Sequence, residues 1–317
     1  MAKPLIIVGG PTASGKSDTA VELCKMINGE IISADSMQAY RTMDIGTAKV
    51  TPEEMSGIYH YGIDILEPSE EYSVSDFKDM AVKAINDIYA KGKIPVITGG
   101  TGFYIQAVLY DIDFSGDAGA DNNIRKELND YYEKNGASAL HDMLKNVDTE
   151  SADAIHENNV KRVIRAIEYY RVTGQKISEH NETERTKASP YDYLYFALTW
   201  PRDVLYERID KRVDIMMNAG LIKETENLYK IKDSLSKTAR EAIGYREMFE
   251  YYDNKATLEE AVNNIKLNSR HYAKRQETWL RREKNVIFID RSKFNSSKET
   301  AEYLYKNYVN KLLQKND

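Results

Sequence analysis

One cysteine, Cys24, stands in 317 residues, which excludes a disulfide framework and any zinc site built from cysteines. It falls on the apolar side of a helical stretch, where packing rather than catalysis is its expected role. No run of about 18 apolar residues occurs, so no membrane-spanning helix is expected. The only apolar run near the N-terminus, Leu5-Ile-Ile-Val8, is too short for a signal peptide. An excess of positive charge is missing too. The formal net charge is −6, which excludes a general polyanion binder and confines any nucleic-acid contact to local patches. With no repeat or low-complexity tract visible, the chain reads as a reducing, cytoplasmic protein without membrane contact, long enough for one large domain or two smaller ones.

What is present is concentrated in Gly10, Pro11, Thr12, Ala13, Ser14, Gly15, Lys16 and Ser17, which satisfy the phosphate-loop (P-loop) pattern G-x-x-x-x-G-K-[ST] at every fixed position. A strand-like run precedes the loop. The segment from Asp18 to Ile27 that follows puts Ala20, Val21, Cys24 and Ile27 on one helical face. In such a loop backbone N–H groups and the positive end of the helix surround an anion, Lys16 adds a charge, and the Ser17 hydroxyl can ligate Mg²⁺. The predicted ligand is a di- or triphosphate.

Glu30 to Ala34 reads as a second strand that delivers Asp35, Ser36, Met37, Gln38, Ala39 and Tyr40 at its end. Strand, helix and strand make a βαβ unit, whose ligands bind beyond the carboxyl ends of the strands. A polar stretch from Asp44 to Glu71 and a helix from Ser75 to Ala90 lead to a third strand, Lys93 to Thr98. It ends in Gly99-Gly-Thr-Gly-Phe-Tyr104, which sets Thr101 on the same sheet edge as Asp35. Asp113 to Asn123 is a break, and no strand-like run occurs between Ile124 and Ser189. Tyr193 to Thr199 and Asn285 to Asp290 then restore strands on either side of helices running from Asp203 to about Arg282. The fold class is α/β: a P-loop parallel sheet core with helices on both faces and an all-helical insertion domain. The expected boundaries are 1–114, 115–194 and 195–317.

Positive charge is segregated on two helices. On a helical wheel Val160, Val163, Ile164 and Ile167 share one face, and Arg162, Arg165 and Tyr169 the opposite one. From Arg270 to Lys284 six Lys and Arg stand against two Glu. Arg270, Lys274 and Arg281 line up beside His271, Arg275 and Arg282, with Tyr272, Ala273, Trp279 and Leu280 on the other side. Each face alone reads as solvated surface. Two of them beside a phosphate loop point to nucleic acid. Asp35 can be a general base or a Mg²⁺-organising acid, and Thr101 can serve chemistry or merely cap its helix.

Taken together the chain resembles the tRNA dimethylallyltransferase (tRNA isopentenyltransferase) family of bacterial type. The matching stretches are the phosphate loop, Asp35-Ser-x-Gln38-x-Tyr40, Asp44-Ile-Gly-Thr-Ala-Lys49, Tyr72-Ser-Val-x-x-Phe77 and Gly99-Gly-Thr-Gly-x-Tyr104. Asn159-x-x-Arg162-x-x-Arg165-Ala-x-Glu168, Ala242-Ile-Gly-Tyr245 and Tyr272-Ala-Lys-Arg-Gln-x-Thr-Trp279 complete the set. The resemblance implies transfer of a dimethylallyl group from its diphosphate to N6 of the adenosine 3′ of the anticodon. It implies Asp35 as general base, with Thr101, Lys16 and Arg212 also catalytic, Arg208 on the diphosphate beside the loop, and Mg²⁺ at Ser17. It further implies an anticodon stem-loop held by Asp35, Ser36, Met37, Gln38, Thr101, Arg125, Asn159, Arg162, Arg165, Lys274 and Arg275. A monomer is expected. The rivals are a P-loop nucleotide or small-molecule kinase, an NTP-dependent RNA-binding switch, and an adenylate isopentenyltransferase.

Overall fold

The computed structural model describes residues 3–114 and 122–316. Six strands form one parallel sheet: β1 (Lys3–Gly9), β2 (Gly29–Ala34), β3 (His60–Tyr61), β4 (Ile94–Gly99), β5 (Tyr191–Thr199) and β6 (Val286–Asp290), in the order β3-β2-β4-β1-β5-β6. A parallel sheet covered on both faces needs apolar side chains on both, and the fully buried runs Leu5–Val8 and Ile31–Ile32 meet that need. β1 is central: Ile6 pairs with Val96 of β4 and Leu194 of β5. β3 lies in the polar stretch that no strand periodicity marks. At two residues it is too short to carry one.

The helices, in chain order, are α1 (Lys16–Ile27), α2 (Pro52–Met55), α3 (Val74–Ala90), α4 (Gly102–Leu109), α5 (Asn122–Val147), α6 (Thr149–Ala154), α7 (Val160–Thr173) and α8 (Ile177–Thr186). After β5 come α9 (Arg202–Ala219), α10 (Leu221–Tyr229), α11 (Lys237–Arg240), α12 (Tyr245–Tyr252), α13 (Leu258–Leu280), α14 (Ser297–Leu304) and α15 (Asn310–Asn316). Among the described residues none is long and apolar enough to cross a membrane. Cys24 is buried against Ile6, Val21 and Ile31, and burial raises its pKa, so it is an inert core residue.

The chain divides into two compact units. One comprises Met1–Val108 with Pro190–Asp317, the other Leu109–Ser189. The boundaries expected at 115 and 195 differ from these, and residues 191–194 pair with β1 in the sheet. Most of the Gly- and Asp-rich break, 115–121, lies outside the described residues. Within the second unit Leu128, Leu140 and Leu144 of α5 pack on Val163, Ile164 and Ile167 of α7. α5 kinks at Gly136, whose φ is 84°. Asp148 accepts from the Ser151 and Ser178 backbone N–H at 3.0 Å each and from both serine hydroxyls at 2.7 Å, so one carboxylate ties the first turns of α6 and α8 together. Burial opposes its charge, and those four donors still hold its pKa below the ordinary carboxylate value.

Tyr169 is buried rather than exposed beside Arg162 and Arg165, with its ring 5.3 Å from that of His180. A wheel assigns a residue to a face. It cannot see that α8 covers that flank.

Candidate active site

The loop after β1 depends on glycines at two positions. Gly10 has φ 150°, and a Cβ there would lie 2.7 Å from Ser14 Oγ and 2.8 Å from the Leu198 carbonyl. Gly15, at φ 84°, is the N-cap of α1 and supplies no side-chain cap. The first N–H groups of the helix are thereby left for an anion. Lys16 Nζ is 3.3 Å from the Pro11 carbonyl. Burial, and then the neighbouring Arg212 charge, lower the Lys16 pKa to about 8 against the opposing pull of Asp35 and Asp18.

Arg208 and Arg212 sit one turn apart on α9 and both face the loop. Arg208 Nε donates to the Ala13 carbonyl at 2.9 Å, and Arg212 Nη1 lies 3.5 Å from Thr12 Oγ1. Burial lowers the Arg212 pKa, with Asp35, Glu54 and Asp18 pulling the other way. Three cations, Lys16, Arg208 and Arg212, converging on one loop make a site prepared for negative charge.

Asp35 closes β2, where its Oδ1 accepts from the Met37 N–H at 3.0 Å. Thr101 N–H donates to the Ala34 carbonyl at 3.2 Å, which stitches the second glycine turn to the same edge. That approach requires Gly99, because a Cβ there would collide with the Ala34 backbone. Two cavities meet at this edge. The smaller, about 60 Å³, is lined by Lys16, Ser17, Asp35, Gln38 and Arg212 among others. The larger, about 430 Å³, takes in Ser36, Met37, Ile209, Met216 and Arg275. Thr12, Asp35, Thr47, Arg212 and Tyr272 border both.

Two residues here escaped the sequence reading. Tyr272, assigned to the apolar side of α13, hydrogen-bonds Thr101, and burial and the Asp35 charge push its pKa up to about 12. Thr101 lines neither cavity and reaches the site through this phenol. Gln276 accepts from the Thr12 N–H at 2.8 Å and donates to the Gly100 carbonyl at 3.0 Å. Its place in the Tyr272–Trp279 stretch was the one available signal.

The basic faces are only partly free. Arg270 pairs with Asp210 at 2.9 Å, whereas Lys274 and Arg275 are exposed. In the second unit Arg125 and Arg165 reach the buried Glu168 at 2.8 and 3.4 Å, so one carboxylate aims both guanidiniums. Arg162 and the α7 N-cap Asn159 are exposed. No cage of three or more His, Cys, Asp or Glu that could hold a metal exists among the described residues.

Residues 38–283 match the IPP transferase family. A tRNA dimethylallyltransferase of Lachnoclostridium phytofermentans is 53% identical over 93% of this chain and 94% of its own. One from Halalkalibacterium halodurans is 47% identical over 95% and 96%. Among solved structures, the full-length tRNA isopentenylpyrophosphate transferase of Bacillus halodurans superimposes with a TM-score of 0.74 at 44% identity, covering 100% of this chain and 98% of that one. A eukaryotic dimethylallyltransferase acting on tRNA gives a TM-score of 0.83 at 29% identity over 96% and 79%.

Proposed function

The chain belongs to the IPP transferase family, and from that premise we propose that it transfers a dimethylallyl group from dimethylallyl diphosphate to N6 of the adenosine 3′ of the anticodon in tRNA. The observation that carries the reading is that Asp35, Lys16 and Arg212 border one continuous site. In the reaction N6 forms a bond to C1 of the allyl group as the C1–O bond to diphosphate breaks. Asp35 takes the proton that N6 loses, which an amine with a delocalised lone pair requires. Lys16, Arg212 and the uncapped N–H groups of α1 meet the charge that grows on the departing diphosphate. Arg208, donating to the Ala13 carbonyl from α9, supports them. Thr101, with Tyr272, orients the acceptor.

A hard divalent cation fits the donor set. The Ser17 hydroxyl lies along the small cavity beside Lys16 and Arg212, and Mg²⁺ is commonly held by one or two side chains together with ligand phosphates. Bound there it would neutralise charge on the diphosphate. The stem-loop is assigned to Ser36, Met37, Gln38, Lys274 and Arg275 in the first unit and to Arg125, Asn159, Arg162 and Arg165 in the second. The enzyme acts as a cytoplasmic monomer.

The test is incubation with radiolabelled dimethylallyl diphosphate, Mg²⁺ and total tRNA, and separately with ATP and candidate acceptors. Label should enter tRNA. Phosphoryl transfer from ATP with no label in tRNA would sink the reading in favour of a kinase.

A further inference from the structure

β1 lies between β4 and β5, so a group held in the phosphate loop at its end has two lateral directions before it. One leads over β4 and β2 to Asp35 and the two cavities. The other leads over β5 and β6, and there the residues that directly follow each strand, Trp200 and Arg291, meet. The Arg208 guanidinium carbon is 4.5 Å from the Trp200 ring centroid and that of Arg291 is 5.6 Å away. Trp200 Nε1 donates to the Ser14 carbonyl at 3.0 Å, which locks the indole onto the loop itself.

We propose that Trp200, held by Arg208 and Arg291, is the specificity-determining residue that bars nucleoside di- and triphosphates from this phosphate loop. An aromatic ring against guanidinium planes is how a protein stacks a nucleobase. Here the protein supplies the ring from its own chain. Arg291 is fixed in this arrangement: it is 8% exposed, Nη1 donates to the Phe294 carbonyl at 2.6 Å, and Nη2 lies 3.5 Å from Ser297 Oγ. Its Nε is buried without a partner, 3.9 Å from where a Cβ on Gly15 would stand. A diphosphate whose substituent points toward Asp35 meets none of this. A nucleotide, whose sugar and base must leave on the β5 side if its phosphates are to face Asp35, meets the indole.

The inference rests on the prenyl-transfer reading only for naming the diphosphate that the loop retains. Calorimetric titration of the full chain with pyrophosphate and with ADP, each with Mg²⁺, tests it. The wild type should bind pyrophosphate and bind ADP more weakly. Trp200→Ala should tighten ADP by roughly 5- to 100-fold, the worth of one base-stacking contact, while pyrophosphate stays within about twofold. Arg291→Ala opens the same space without touching Ser14 and should shift ADP in the same direction. ADP affinity that is unchanged or lower in both variants, or pyrophosphate binding lost in both, overturns the proposal. The first result would make the stack a base platform or inert packing, the second a support for the loop. Absence of label in tRNA with the wild type would defeat the functional reading and leave the ADP comparison standing.

Discussion

Gln276 reaches across 264 residues of sequence to Thr12 and takes the N–H of the phosphate loop at 2.8 Å while its amide donates to Gly100 at 3.0 Å. The two glycine turns of the site are thereby fastened to one side chain of α13. Gln276→Leu leaves a backbone N–H and a carbonyl without partners, at a cost of about 1–3 kcal/mol. Denaturant unfolding should show that loss. Kinetics should show a fall in kcat/KM for dimethylallyl diphosphate beyond what the folded fraction accounts for, and unchanged kinetics would make the clasp a matter of stability alone.

Lys16 carries a pH prediction. Its folded pKa of about 8 lies below the ordinary 10.5, so the empty protein sheds this proton before the unfolded chain does. The penalty of holding the buried charge is present below about 8 and gone above 10.5, and this group therefore makes stability rise across that window. Ligand binding runs the other way, since a diphosphate wants the charged form. Diphosphate affinity should fall as pH climbs through about 8, with proton uptake on binding above it, and Lys16→Ala should remove both effects. Calorimetry in buffers of different ionisation enthalpy reads the proton directly.

For Asp35, asparagine keeps the shape and cannot take a proton. Asp35→Asn should lower the single-turnover rate by about 10²- to 10⁴-fold with substrate binding little changed. Recovery of the rate across a Mg²⁺ series would move Asp35 from base to metal ligand.

Exposed cations on the two basic faces should act through RNA phosphates. Arg162→Ala and Lys274→Ala should each weaken tRNA binding and reduce the slope of log K against log salt by up to about 0.7 to 0.9 per contact removed. Normal binding by both at several salt concentrations would return these faces to plain solvated surface.

The loop, Asp35 and Thr101 were legible because each lies within a few residues of the strand that positions it. Local pattern reports such neighbours directly. Tyr272, Gln276 and Trp200 were not, because what they do depends on which strand ends α13 and β5 are set beside. That order is a property of the whole sheet. Arg270 misled for the same reason: its charge is visible in the sequence and its partner Asp210 is on another helix. Arg125 and Arg165 appeared as separate cations until Glu168 joined them.

The central place of β1 also orders events during synthesis. It pairs with β5 over Lys3 to Gly9 and Tyr191 to Ala197, so the entire second unit must leave the ribosome before its far edge is covered. Until then Leu5 to Val8 stand at an open edge of an unfinished sheet, the kind of surface that pairs with other chains. Trp200, Arg208 and Gln276 arrive later still. A nascent chain can have a finished phosphate-loop sequence and no phosphate loop, and chaperone demand should peak between the emergence of β4 and of β5.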